Sequence, residues 1–189
     1  LARRPGPDAD PGMRVIAGAH GGRVLAAPRG RATRPTSDRV REAVFSILGD
    51  LSGAEVLDLY AGSGALAIEA LSRGAAAATL VDSSPAAIAA IRGNLDTLGL
   101  EAQVRRADAA AFLRAASRSA PQYDLVFLDP PYRHTSELGV KLSVALAPML
   151  APGARVVAES DRRAPLRLEL PLLDERRYGD TLILIHGPR

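Results

Sequence analysis

The alternation of apolar runs with helical stretches from residue 54 onward constrains the fold of this chain more than any other feature. Short apolar runs predict strands, and apolar residues at helical spacing predict the helices between them. The predicted strands span residues 55–60, 77–82, 102–106, 123–129 and 154–159, and the predicted helices span about 64–73, 85–98, 109–118 and 136–150. Strands that alternate with helices form a parallel sheet covered on both faces, so we expect an α/β fold.

The end of the chain departs from this alternation. Residues 172–178 and 181–186 are joined by Gly179-Asp180, a tight-turn pair that predicts a β-hairpin. An antiparallel hairpin at the end of an otherwise parallel sheet distinguishes methyltransferase folds from plain dinucleotide-binding folds. We therefore expect residues 51–189 to form a Rossmann-like class I methyltransferase domain with a mostly parallel seven-stranded sheet.

The residues before this domain predict a small extension. Residues 1–12 contain almost nothing to bury, and we expect them to be a disordered leader. Apolar runs at 14–17 and 23–27, separated by glycines, predict a hairpin. A helix follows, with apolar residues at helical spacing and with Thr36, Ser37 or Asp38 as its cap. Residues 13–50 are thus expected to form a hairpin-and-helix extension.

Basic residues are concentrated at the N-terminal end. Residues 1–41 contain nine Arg and three Asp, a net charge of +6, whereas the rest of the chain has a net charge of −3. Arg side chains bind phosphate with two donors at once, so an Arg-rich arm is suited to nucleic acid. The alternative is that the arm reflects only the composition of the chain.

The composition also sets expectations about metals and membranes. The chain has no Cys, and its three His are far apart in sequence, so we expect no metal site. No apolar run approaches membrane-spanning length, so we expect no membrane contact. The absence of Cys is compatible with a cytoplasmic location, where we expect a monomer.

A glycine loop follows the first predicted strand. Gly62 and Gly64 allow a tight turn and close backbone approach to a ligand, and Asp82 lies 20 residues after Gly62, at the end of the next strand. A carboxylate there can accept both ribose hydroxyls of an adenosine, as in NAD or S-adenosylmethionine. Asp58 favours S-adenosylmethionine, because a carboxylate is unfavourable beside a pyrophosphate but favourable beside a cationic methionine group.

Asp108 follows the third strand, where it can reach an adenine amino group, cap the next helix, or do both. The expected cofactor site consists of Asp58, Tyr60, Ala61, Gly62, Gly64, Asp82, Ser83, Asp108, Ala109 and Asp129.

The tetrapeptide Asp129-Pro130-Pro131-Tyr132 is the most specific feature, and we predict that these four residues are catalytic. It follows an apolar strand, at the sheet edge where open parallel sheets bind ligands. Its prolines lack N–H groups, so the turn offers acceptors that suit an amino group. Hydrogen bonds to Asp129 and to the Pro130 carbonyl can free the nitrogen lone pair of a nucleobase amino group, and Tyr132 can stack on the base.

These motifs resemble the bacterial 16S rRNA (guanine-N2)-methyltransferase family, whose members modify guanine 966 in standard rRNA numbering. The resemblance covers about residues 13–187, and its most specific stretch is residues 34–45. Further matching stretches are residues 14–18, 58–66 and 69–75, Asn94-Leu95, and residues 129–132 and 178–181. One departure is Asp82, where many relatives have Glu, but either carboxylate serves a ribose.

The resemblance implies methyl transfer from S-adenosylmethionine, leaving S-adenosylhomocysteine, to guanine N2 of 16S rRNA within a small-subunit particle. The residues expected to contact RNA are Arg23, Arg34, Thr36, Arg39 and Arg41.

Two other enzyme classes share part of this pattern. A DNA adenine-N6 or protein-glutamine methyltransferase has both main motifs, and residues 34–45 argue against it. A nicotinamide oxidoreductase has the glycine loop and Asp82, but the Asp-Pro-Pro-Tyr turn has no role in hydride transfer. A non-catalytic nucleic-acid-binding module would explain the basic arm but not the aligned carboxylates.

Overall fold

The structure is a computed structural model that describes residues 13–28, 37–116, 122–131 and 136–188. The expected leader at 1–12 and the expected site residues Arg34, Thr36 and Tyr132 lie outside the described residues. The helices are α1 (Asp38–Leu48), α2 (Ala65–Ser72), α3 (Pro85–Leu98), α4 (Ala109–Ala115) and α5 (Ser136–Leu146), followed by a 3₁₀ turn at Ala147–Met149. The strands are β1 (Glu55–Leu59), β2 (Ala77–Asp82), β3 (Gln103–Arg106), β4 (Tyr123–Leu128), β5 (Leu150–Asp161), β6 (Leu172–Tyr178) and β7 (Thr181–His186).

The seven strands form one sheet in the order β3-β2-β1-β4-β5-β7-β6. Strands β1 to β5 are parallel to one another, and β7 runs antiparallel to both β5 and β6. This arrangement confirms the predicted class I methyltransferase fold. The strand order reverses between β1 and β4, where Leu59 pairs with Leu128. A ligand crevice is expected beyond the carboxyl ends of strands at such a switch point.

Helices cover both faces of the sheet. Successive side chains of a strand point to opposite faces, so neighbouring residues pack with different helices. On β1, Val56 packs with the cluster that includes α1, α2 and α3, whereas Leu57 and Leu59 pack with α4 and α5. The N-terminal extension belongs to the first cluster. Its hairpin contributes Val15 and Leu25, and α1 contributes Phe45, whose ring lies 5.7 Å from that of Phe127.

The extension itself is smaller than a regular hairpin. Its two arms form a single antiparallel bridge, between Arg14 and Val24, with backbone hydrogen bonds on either side. Ser37 is the cap of α1, and its hydroxyl accepts a hydrogen bond from the Val40 amide. Thr36 lies outside the described residues, and Asp38 is the first residue of the helix.

The predicted boundaries were wrong between α5 and β5. The sequence pattern placed helix through residue 150, whereas α5 ends at Leu146 and β5 already begins at Leu150. Pro148 has no N–H to continue the α-helical hydrogen bonds, so the chain makes a 3₁₀ turn and enters the sheet early. The register between β4 and β5 shifts near Tyr123, which adjusts the early part of β5 to its neighbour.

Candidate active site

The glycine loop connects β1 to α2 and requires left-handed backbone at three positions. Gly62 and Gly64 have φ values of 59° and 81°. A Cβ added at Gly64 would lie 2.9 Å from Cδ2 of Leu80, so a side chain there would clash as well as strain the backbone. Tyr60 also has a positive φ, 65°, which is unusual for a bulky residue and typical of functional sites.

Asp82 fixes the loop from the end of β2. Its Oδ2 accepts a hydrogen bond from the Gly62 amide at 2.9 Å, and its Oδ1 accepts one from the Ser84 amide at 2.8 Å. Each carboxylate oxygen has a further lone pair, so these contacts are compatible with binding ribose hydroxyls. Sequence reasoning assigned Asp82 to a ligand but did not predict that it also shapes the loop. The neighbouring Ser83 is exposed.

Tyr60, which follows β1, and Asp108, which precedes α4, lie close enough to interact electrostatically. Asp108 caps α4 by accepting a hydrogen bond from the Ala111 amide at 3.0 Å, and it is exposed to solvent. Burial, and then the nearby charge of Asp108, raise the pKa of Tyr60 to about 12. Asp108 is therefore a helix cap, and its charge acts on Tyr60. Ala61 and Ala109, the other residues expected at this part of the site, are both buried.

Carboxyl groups from three adjacent strands lie together at the centre of this edge. Asp58 is buried in β1, and its Oδ2 accepts a hydrogen bond from the Ala67 amide at 3.2 Å. Burial raises the pKa of Asp58 to about 7, opposed by the Ala67 hydrogen bond and assisted by Asp82. Burial also raises the pKa of Asp129 well above its usual range, with further contributions from Glu159 and Asp58. Carboxyl groups are thus crowded at the switch point, where ionising all of them together is unfavourable.

Glu159 is the member of this cluster that sequence reasoning missed. It is buried in β5, next to the strand that carries Asp129, since Ala158 pairs with Leu128. A signal was present in the sequence: Glu159 is an acidic residue near the end of a predicted buried strand, as are Asp58 and Asp129. Of the remaining tetrapeptide, Pro130 is buried and Pro131 is exposed, while Tyr132 lies outside the described residues.

The structure separates the residues expected to contact RNA. Arg23 and Arg39 are exposed, but the prediction for Arg41 was wrong, because its side chain is only 1% exposed. Its guanidinium donates hydrogen bonds to the Arg14 carbonyl oxygen and to Oδ1 of Asp38, so it holds the hairpin against α1. Arg34 and Thr36 lie outside the described residues.

The described residues contain no group of His, Asp or Glu side chains able to hold a metal ion. Within the same residues, no helix has the length and apolar character needed to cross a membrane. A surface cavity of 340 Å³ lies at the opposite edge of the sheet, lined by Asp50, Asp124 and Arg155 among others. That cavity is remote from the carboxyl cluster, because Asp124 and Asp129 lie at opposite ends of β4.

The fold and this edge of the sheet define a class I methyltransferase: a parallel sheet with a terminal antiparallel hairpin, a glycine loop at the switch point, and carboxylates at the ends of β1, β2 and β4. The model of the family described as Conserved hypothetical protein 95 matches residues 13–186. The chain therefore belongs to that family.

Individual relatives support the same assignment. The Bacillus subtilis (strain 168) protein YlbH is 40% identical over 183 residues, which are 94% of this chain and 100% of that protein. Ribosomal RNA small subunit methyltransferase D of Escherichia coli (strain K12) is 41% identical over 133 residues, which are 69% of this chain and 66% of the relative. The solved structure of the Escherichia coli protein yhhF has a TM-score of 0.79 and 33% identity, covering 94% of this chain and 99% of that one.

Proposed function

We propose that this chain transfers a methyl group from S-adenosylmethionine to the exocyclic N2 of a guanine in 16S rRNA. The observation that carries the proposal is the carboxyl cluster of Asp58, Asp129 and Glu159 beside the glycine loop. The pKa values of Asp58 and Asp129 are raised, and such carboxyl groups are suited to a ligand that brings positive charge and to a substrate that donates hydrogen bonds.

The residues present fit S-adenosylmethionine. Gly62 and Gly64 let the backbone approach the ligand closely, and Asp82 offers lone pairs to the ribose hydroxyls. Asp108, which caps α4, is proposed to face the adenine, and Asp58, at the end of β1, is proposed to lie near the methionine group. When bound, the cofactor supplies an electrophilic methyl group on a positively charged sulfur. We expect no metal in this reaction, because the chain has no Cys and its three His are far apart in sequence.

The acceptors at the end of β4 orient the nitrogen that receives the methyl group. The carboxylate of Asp129 and the carbonyl of Pro130 accept the two hydrogens of an amino group, which directs the nitrogen lone pair away from them. A nearby positive charge favours the ionised form of Asp129, which is the form that accepts. The contribution of Asp129 is therefore positioning and electrostatic stabilisation of a nitrogen that becomes positively charged. Tyr132 is proposed to stack on the base.

The choice of polymer and base depends on the relatives. The Escherichia coli relative is named for methylation of small-subunit ribosomal RNA, and its alignment supports the same substrate for this chain. The exposed Arg23 and Arg39 are proposed to contact RNA phosphates, together with Arg34 and Thr36. We further propose guanine 966 as the base, an assembling small-subunit particle in the cytoplasm as the substrate, and a monomer as the active form.

Single-turnover methyl transfer to undermethylated small-subunit particles, at saturating protein, tests the assignment of Asp129. Asp129→Ala should lower the rate about a hundredfold or more, the scale of losing one preorganised electrostatic partner, with far smaller changes in binding. Asp129→Asn should be milder, because its amide oxygen still accepts a hydrogen bond. Asp124→Asn is the matched control, since that residue bonds the Glu55 amide at the far end of β4.

A near-wild-type rate for Asp129→Ala would show that the tetrapeptide is only a turn. Mass spectrometry of rRNA from a deletion strain identifies the base, and loss of the methyl group from a residue other than guanine 966 would refute that part of the proposal. Tighter binding of NAD than of S-adenosylmethionine in calorimetry would refute the cofactor.

A further inference from the structure

Asn94 has a buried side chain that the proposed mechanism does not use. It lies on α3 and is 3% exposed, yet its amide makes three hydrogen bonds. Its Oδ1 accepts from the Ala26 amide at 2.8 Å, and its Nδ2 donates to the Ala26 carbonyl and to the Ser63 carbonyl, each at 3.0 Å. One side chain of the sheet domain thus joins the N-terminal segment to the glycine loop.

Ser63 also has one direct contact with the N-terminal segment. Its hydroxyl donates to the sulfur of Met13 at 3.4 Å, so Met13 reaches Ser63 directly and Ala26 reaches it through Asn94. Other anchors of the segment are on α1, where Arg41 bonds the Arg14 carbonyl, and on α2, where Glu69 and Ser72 bond the backbone of residues 16–20. Asn94 therefore differs from them in reaching the loop itself.

We infer that Asn94 is a positioning residue that couples the N-terminal segment, residues 13–28, to the glycine loop, so that order in one stabilises the other. If the segment moves away, the buried amide of Asn94 loses two partners and its bond to Ser63 is no longer held in place. Coupling between two sites is reciprocal, so a ligand on the loop must also stabilise the segment. This inference rests on one part of the proposed function, namely that the glycine loop binds the cofactor.

The consequence for the reaction concerns the exposed Arg23, which lies in the same segment. RNA bound there would order the segment, and through Asn94 it would favour the loop conformation that holds the cofactor. RNA and cofactor should then bind with positive cooperativity, although neither contacts Asn94 directly.

Hydrogen exchange of the full-length protein, with and without saturating S-adenosylhomocysteine, tests the coupling. In the wild type, the ligand should slow exchange of the Val15 and Leu25 amides, which bond across the hairpin, about tenfold. In Asn94→Ala this response should disappear, and S-adenosylhomocysteine should bind about tenfold more weakly, the scale of a lost buried hydrogen bond.

Two control variants separate coupling from general destabilisation. Ser72→Ala removes hairpin hydrogen bonds without touching the loop, so it should speed basal exchange but keep both the ligand affinity and the ligand response. Thr97→Ala, on the exposed side of α3, should behave like the wild type. If Asn94→Ala does not fold, Asn94→Ser takes its place, because its short hydroxyl is uncharged and cannot bond Ala26 and Ser63 together.

The outcomes are distinguishable. Absence of S-adenosylhomocysteine binding in the wild type would overturn the proposed cofactor. Normal binding with no change in the exchange of Val15 and Leu25 would overturn the coupling alone. An equal loss of affinity in Ser72→Ala and Asn94→Ala would also overturn it, because both effects would then come from a loosened hairpin.

Discussion

Replacement of Glu69 tests how firmly the N-terminal extension is built into the fold. Glu69 is fully buried on α2, and its carboxylate accepts hydrogen bonds from the Ile16 amide at 2.6 Å and the Ala17 amide at 3.0 Å. It also pairs with Arg73, whose Nε is 2.7 Å away. Glu69→Ala leaves two amides and a partly exposed guanidinium without an acceptor. At about 1–3 kcal/mol for each buried donor, we expect a loss of about 3–5 kcal/mol in unfolding free energy.

Urea and thermal unfolding measure this loss. For a chain of this size, 1 kcal/mol corresponds to about 2–4 °C in Tm, so Tm should fall by about 10 °C. Glu69→Gln keeps an acceptor but loses the charge, and its stability should lie between those of the wild type and Glu69→Ala. Glu42→Ala, on the exposed side of α1, is the matched control and should change stability by less than about 0.5 kcal/mol.

A loss below about 1 kcal/mol for Glu69→Ala would refute the reasoning, because the hairpin would then not depend on this carboxylate. The expected outcome also bears on truncation. Removing residues 1–50 would strip Val15, Leu25 and Phe45 from the core as well as the basic arm. RNA affinity is therefore better tested with substitutions at exposed Arg residues than with a deletion.

The remaining predictions concern charge and backbone at the site. The pKa of Asp58 is about 7 in the folded protein and 3.8 in the unfolded chain. The contribution of this group to stability should therefore be complete below pH 3.8 and lost as pH rises through 7. Urea unfolding should show a weaker pH dependence in Asp58→Asn than in the wild type. Binding of the cationic cofactor should release protons near neutral pH and tighten as pH rises, and calorimetry showing the same affinity at pH 6 and pH 8 would contradict this. Gly64→Ala should lose cofactor binding and destabilise the fold by about 1–3 kcal/mol more than Gly53→Ala, which has a similar positive φ but open space around it. Substitution of Arg23 and Arg39 by Ala should weaken RNA binding. The slope of log affinity against log salt concentration should become shallower by about one for each phosphate that is no longer neutralised. An unchanged slope would exclude both Arg side chains from the RNA interface.

Local patterns in the sequence were sufficient to predict the class of fold and the edge of the sheet at which the candidate site lies. Such patterns include the strand periods, the glycine loop and the final Gly179-Asp180 turn. A strand that runs into a glycine or proline turn must end there, so few other secondary structures fit these residues. Because parallel strands end at a common edge, the positions of Asp58, Asp82 and Asp129 along the chain were enough to predict that their side chains lie at that edge.

The burial of polar residues and their partners, in contrast, depended on tertiary packing. Arg41 has the sequence environment of a nucleic-acid-binding residue, yet it is covered by the hairpin and bonded to Asp38. Asn94 and Glu69 are ordinary helix residues in sequence, and their partners lie 68 and 53 residues away. A local pattern shows only that a residue is of a type that usually faces water. Whether a particular polar residue is buried depends on which distant segment packs on it and on whether that segment supplies hydrogen-bond partners.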